Sequence, residues 1–185
     1  MNYLTQSASR AGKAAAAALV VAMIALPASA ASFVGELTFS GNFSLDDGVT
    51  LGTTTDLFFP GNDFDVDGAA GDFDAIAGIA QFDIGAIADL DLGLSGGPVV
   101  LVNIAGTSFT LESANILFQS DSILLMEGMG FVTYDGMDTA ATFSLTANSI
   151  GSLDNFSAGI TSIPVPGAVW LLGSALMALG LRRKS

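Results

Sequence analysis

The stretch "FVGELTFSGNFSL", residues 33–45, alternates between apolar and polar side chains at every second position. The apolar side chains of Phe33, Leu37, Phe39 and Phe43 fall on odd positions, whereas Glu, Thr, Ser and Asn fall on even ones. This period of two predicts a half-buried β-strand, because successive side chains of a strand point to opposite faces of a sheet. The glycines within the stretch predict a bend or bulge in that strand.

The same alternation recurs through the middle of the chain, up to about residue 160. It is clearest around Leu90–Leu94, Phe109–Leu111, Ile123–Tyr134 and Phe143–Leu145, and turn sequences such as Asp47-Gly48 and Tyr134-Asp135-Gly136 separate the runs. No segment has convincing helical periodicity, and we interpret residues 74–90 as strands with room for a short helix. The sequence therefore predicts an all-β, antiparallel domain, a β-sandwich or flattened barrel of about eight to ten strands whose core is filled by thirteen Phe side chains.

The residue types that are absent restrict the chemistry. The chain has no Cys and no His. Disulfides, thiolate metal sites, Cys nucleophiles and Ser-His-Asp triads are therefore excluded.

Acidic and basic residues occupy different parts of the chain. All eighteen Asp and Glu residues lie between Glu36 and Asp154, and all five basic residues lie outside that range: Arg10, Lys13, Arg182, Arg183 and Lys184. The predicted domain, residues 31–160, therefore has a formal charge of −18. With no cation to neutralise phosphates, it is not expected to bind nucleic acid.

Residues 1–30 have the three parts of a secretory signal peptide. Arg10 and Lys13 form a basic start, residues 14–26 form an uncharged apolar run, and Ala28-Ser29-Ala30 follows Pro27. Small residues at Ala28 and Ala30 are what signal peptidase requires, so we expect Sec-dependent export and cleavage after Ala30.

Residues 161–185 have the order of a membrane stop signal. Pro164 and Pro166 precede an apolar run that reaches Leu181, and Arg182, Arg183 and Lys184 follow. As a helix, residues 163–181 would measure about 28 Å, enough to cross a bilayer core. Trp170 suits one membrane interface, and the basic end suits the cytoplasmic side.

This tail resembles a PEP-CTERM sorting signal. The resemblance rests on Ile163, Pro164, Val165, Pro166, Gly167, Ala168 and Trp170, on the apolar run, and on Arg182–Lys184. Val165 stands where the family's name-giving Glu would be. The resemblance implies export by a Gram-negative bacterium, a membrane-inserted intermediate, processing by an exosortase, and a final place at the cell surface or outside the cell, in association with exopolysaccharide and biofilm.

Two acidic motifs in the predicted domain are candidate sites. Asp63, Asp65 and Asp67, followed by Gly68 and with Asp74 eleven residues after Asp63, have the spacing of a calcium loop. The alternative is a strand with an acidic outer face, because Phe64 and Val66 alternate with the aspartates. Asp89 and Asp91 would lie about 7 Å apart on one strand face, a separation compatible with a pair of glycosidase carboxylates, but a solvated strand face is the favoured interpretation.

These features together favour a non-enzymatic function. The sequence predicts an exported surface or extracellular-matrix protein whose partners are the Sec machinery, signal peptidase, an exosortase, the membrane and exopolysaccharide. A calcium-dependent binding or adhesion module of the cell envelope is the alternative, and a carboxylate-based hydrolase is a remote third.

Overall fold

The computed structural model describes residues 33–150 and 153–163, which lie within one compact unit, Ala31–Val165. The predicted signal peptide and nearly all of the predicted sorting tail lie outside these residues. The described part contains ten strands: β1 (Gly35–Asn42), β2 (Asp56–Leu57), β3 (Asp63–Gly71), β4 (Ile84–Ile87), β5 (Leu90–Asp91), β6 (Val99–Ile104), β7 (Thr107–Gln119), β8 (Ile123–Tyr134), β9 (Met137–Ile150) and β10 (Leu153–Ser162).

Eight of these strands form a closed antiparallel barrel in the order β1-β10-β9-β8-β7-β6-β4-β3, and β3 pairs with β1 to close it. Strands β2 and β5 form a separate two-stranded sheet. A 3₁₀ turn, Pro60–Asn62, and a single helical turn, α1 (Asp72–Ala75), account for the helix in the described region. The all-β, antiparallel prediction is confirmed, and the structure has a closed barrel rather than a β-sandwich.

The opening stretch forms β1 as its alternation predicts. Leu37 and Phe39 are buried, whereas Glu36 and Asn42 lie on the outer surface. The pairing of β1 with β3 is irregular between Thr38 and Phe39. Their partners on β3 are Gly68 and Val66, so Asp67 is an extra residue on β3. The bulge is therefore on the partner strand rather than at a glycine of β1.

The barrel interior is filled by aromatic and aliphatic side chains. Phe39 packs against Phe64 at a ring-centroid distance of 4.4 Å and against Phe156 at 6.2 Å, and Phe59 packs against Phe156 at 4.9 Å. Elsewhere Phe109 and Phe143 stack at 5.8 Å. An eight-stranded barrel has an interior just wide enough for side chains to fill it, and here Phe rings from different strands do so.

Two glycines on β8 allow β7 to approach closely. A Cβ atom on Gly130 would lie 1.9 Å from the carbonyl oxygen of Thr110, and one on Gly128 would lie 2.6 Å from that of Ser113. Opposite them β7 has a bulge at Glu112, because Leu111 pairs with Gly130 and Ser113 with Met129. Because Gly128 and Gly130 have no side chains, the bulged backbone of β7 can pack closely against β8 and remain in the barrel wall.

Three local predictions can be compared with the structure. The turn sequence Asp47-Gly48 predicts a hairpin whose second strand is Val49–Phe59, but this segment begins as a series of turns, and its paired residues are Asp56–Leu57 and the isolated bridge of Phe58 to Ser44. Leu92 and Leu94 follow β5 as a turn, in which Leu94 has a φ of 48°. Residues 74–90 contain the end of α1 and then the short strand β4, in agreement with the predicted mixture.

Among the residues that the structure describes, no helix has the length and hydropathy of a membrane span.

Candidate functional site

The first three aspartates of the predicted calcium loop lie on strand β3, with Asp67 at its bulge. Asp63, Asp65 and Asp67 are exposed on the outer face of β3, whereas Phe64 and Val66 between them are 2% and 1% exposed. Alternate residues of a strand are about 7 Å apart, so Asp63 and Asp67 are separated by about 13 Å along the chain. A calcium ion binds its oxygen ligands at about 2.6 Å or less from the ion, so the carboxylates must converge on one point. In the structure this motif is therefore a strand with an acidic outer face, which was the alternative interpretation of its spacing.

The fourth predicted ligand does not complete a site. Asp74 lies on α1, beyond the end of β3 at Gly71. The Ser40 hydroxyl donates a hydrogen bond of 3.0 Å to Asp67, which directs that carboxylate toward β1. Within residues 33–150 and 153–163, no three acidic side chains gather to hold a metal ion. The calcium-loop geometry predicted from the spacing is thus not formed.

We expect calcium to act on this barrel through screening of its charge. Calcium and magnesium at equal millimolar concentrations should raise Tm equally, because both reduce repulsion among the carboxylates. The Asp65→Asn/Asp67→Asn variant should respond as the matched Asp46→Asn/Asp47→Asn variant does, since each removes two exposed charges. Differential scanning fluorimetry measures both comparisons. A rise in Tm that is specific to calcium and is lost only in the Asp65/Asp67 variant would instead favour the calcium-dependent binding module.

Asp89 and Asp91 hold loops in place. Asp89 Oδ1 accepts a hydrogen bond of 2.9 Å from the N–H of Phe59. Asp91 accepts hydrogen bonds from the N–H groups of Gly93 and Ser95, each at 2.8 Å, and from the Ser95 hydroxyl. The two carboxylates therefore organise the turns around β5.

The pKa of the Asp91 carboxyl lies below its ordinary value. The cause is first the hydrogen bond from the Ser95 hydroxyl and then those from the backbone N–H groups of Gly93 and Ser95, all of which stabilise the ionised form. Because the folded state favours the carboxylate, this contribution to stability is present above the ordinary carboxyl pKa. It is lost as the pH falls through the lowered pKa.

A neutral polar surface covers the outer face of β9 and β10. From Thr142 to Asn148 on β9, the outward residues form directly opposed pairs with β10, and none of these is charged: Thr142 with Thr161, Ser144 with Gly159, Thr146 with Ser157, and Asn148 with Asn155. Asn155 is also opposite Asn42 of β1, which places three amide side chains on three adjacent strands. Among the described residues, none of these three amides has a hydrogen-bond partner, so their donors and acceptors face solvent.

Two shallow grooves cross this neutral polar surface. One, of about 440 Å³, contains the three Asn side chains together with Ser40, Asp65 and Ser157. The other, of about 520 Å³, runs from β7 to β10 over Gly128 and Gly159 and is bordered by Asn115, Glu127, Ser144 and Thr161. The sequence shows the alternating Ser, Thr and Asn residues, but only the strand register reveals that they form continuous rows.

Of the predicted sorting residues, the structure describes Ile163. It follows β10 directly, is 39% exposed, and its N–H donates a hydrogen bond of 2.7 Å to the carbonyl of Ala140. The other predicted sorting, membrane-stop and signal-cleavage residues lie outside the described ranges.

Comparisons with models of known protein families, with curated proteins and with solved structures found no match to this chain.

Proposed function

We propose that this chain is an exported, non-enzymatic surface or extracellular-matrix protein that an exosortase sorts and processes. The observation that carries the proposal is the distribution of charge. The barrel domain contains all eighteen carboxylates, and all five basic residues lie in the two ends of the chain. Basic residues next to apolar runs are retained on the cytoplasmic side of a membrane, whereas a domain between two such runs is exported.

The position of Ile163 supports access by a processing enzyme. This first residue of the sorting motif is exposed at the end of β10, directly before Pro164. Because the barrel ends at Ser162, before the sorting motif, processing within the motif would not require the barrel to unfold.

The outer face of the barrel supports an association with exopolysaccharide. Rows of hydroxyl and amide groups on β9, β10 and β1 offer donors and acceptors without a charge, and polysaccharides present the complementary hydroxyl groups. The Asn-containing groove of about 440 Å³ is the place where such a chain would lie.

The sorting step can be tested by substitution in the native host. We expect the Pro164→Ala/Pro166→Ala variant to keep its tail and to remain in the membrane fraction, as the unchanged protein does in a strain that lacks the exosortase. The matched control, Ile150→Ala, changes a side chain that is 71% exposed on the barrel and should be processed normally. Immunoblots of membrane and extracellular fractions measure the outcome. Normal processing in the strain without exosortase would refute the proposed route.

A further inference from the structure

One segment of the barrel wall has an unpaired edge. Strand β6 pairs with β7 only as far as Leu111, whereas β7 continues to Gln119 and pairs with β8 over that whole length. At the far end, the Gln119 amide donates hydrogen bonds to the carbonyls of Leu51 and Thr54, at 2.7 and 3.1 Å, and ties β7 to the loop before β2. Between these two points, Glu112–Phe118 has no strand partner on its β6 side among the described residues. We call this segment the open edge.

The open edge starts beyond Leu111, the partner of the first residue of β6, Val99, and it contains two bulges. Glu112 is the extra residue in the first, and Leu117 is the extra residue in the second, since Ile116 pairs with Met126 and Phe118 with Leu125. A bulge bends and twists its strand, so β7 is bent at these two residues. The stretch between the bulges, Ser113–Ile116, is regular. Its N–H and C=O groups on the side away from β8 can form a β-ladder with another strand.

Apolar side chains are exposed along the same edge. Ile116, Leu117 and Phe118 are 37%, 54% and 50% exposed. An unpaired strand edge beside exposed apolar side chains is the arrangement that accepts an added strand, because the main chain supplies hydrogen bonds and the side chains supply contact area.

The charges around the open edge define the occupant. Glu112 lies on the edge, Asp121 lies just beyond its end, and Glu127 is opposite Asn115 on β8; all three are exposed. The described residues contain eighteen carboxylates and no Lys, Arg or His. A second copy of the barrel would bring the same three acids to this edge and the same −18 charge, which opposes association, whereas a basic segment would be attracted.

We propose that the open edge is a docking site for an extended, cationic segment of another protein, in which apolar and basic residues alternate. The main chain of this segment pairs with Ser113–Ile116. Its apolar side chains contact Ile116, Leu117 and Phe118, and its basic side chains face Glu112, Asp121 and Glu127. This site lies on β7 and is independent of the proposed sorting route.

The test uses the full chain in a mild non-ionic detergent and a fluorescent seven-residue peptide that alternates valine and lysine. We expect saturable binding by fluorescence anisotropy that weakens with added salt. The Leu117→Lys variant should bind at least about tenfold more weakly, because it removes an apolar contact and repels lysine at the edge. The control, Leu153→Lys, makes the same change of charge at a leucine that is 70% exposed on β10, and it should bind as the unchanged protein does. Equal Tm values show that both variants are folded.

A second peptide and a measurement of mass distinguish strand pairing from attraction by overall charge and from self-association. A peptide with the same side chains, but methylated on every backbone nitrogen, has no N–H to donate along either edge, cannot form the ladder and should not bind. If it binds equally well, or if the two lysine variants behave alike, attraction is due to overall charge and the proposal is wrong. If sedimentation shows that the unchanged protein is a dimer and that Leu117→Lys makes it a monomer, the occupant is a second copy and the proposal is likewise overturned.

Discussion

Replacing Phe39 with alanine is expected to lower the free energy of unfolding by about 4 kcal/mol. Phe39 is fully buried and lies between the rings of Phe64 and Phe156, which come from β3 and β10. Its removal leaves a cavity at the place where β1 connects these two strands, so the loss includes both the hydrophobic contribution of the ring and the unfilled space. Because small domains are stable by only about 5–15 kcal/mol, this is a large fraction of the total.

The matched control for this variant is Phe82→Ala. Phe82 is 78% exposed, so its removal should change the free energy of unfolding by about 0.5 kcal/mol or less. Urea denaturation followed by circular dichroism gives both values, with a shifted midpoint and an unchanged slope for Phe39→Ala. Similar losses for the two variants would mean that the Phe39 cluster is not the core of the barrel.

The Gly130→Ala substitution is expected to cost about 3 kcal/mol, the upper end of the range for overpacking. The added Cβ would meet the carbonyl oxygen of Thr110 at 1.9 Å and the Cα of Leu111 at 3.1 Å, and both belong to the backbone of β7. Backbone atoms in a paired strand cannot move aside as a flexible side chain can. The β7–β8 pairing must therefore widen, and Tm should fall by roughly 10 °C.

Gly96→Ala provides the comparison for this prediction. A Cβ atom at Gly96 has no neighbour within 4 Å, so the variant should have nearly the Tm of the unchanged protein. Thermal unfolding of the two variants, measured side by side, isolates the effect of the close approach from the general effect of replacing glycine. A Gly130→Ala protein as stable as the Gly96→Ala protein would contradict the bulged β7–β8 register.

The period-two pattern allowed most of the barrel wall to be predicted. It identified β1, β8 and their buried residues, because alternation records which side of a strand faces the core. The same pattern is common to sandwiches and barrels. Closure depends on the pairing of β1 with β3 and on the few residues of β4 between β3 and β6, and such long-range pairings leave no local signal.

The acidic motif on β3 shows how one spacing can fit two structures. Aspartate at every second position matches a calcium loop and equally matches the outer face of a strand. Burial of Phe64 and Val66 decides between them, since each contributes about 1.5–3 kcal/mol on burial, and both side chains lie in the core. The open edge could not be predicted either, because it depends on where β6 begins to pair with β7, and the alternation does not encode that register.

Intact-mass spectrometry of the protein recovered from its native host tests the proposed function most directly. The exported route predicts a chain that begins at Ala31 and has lost the tail containing Arg182–Lys184, recovered outside the cytoplasm. The barrel, which ends at Ser162, would be retained whole. A full-length chain of 185 residues, recovered uncut from the cytoplasm, would contradict the proposal.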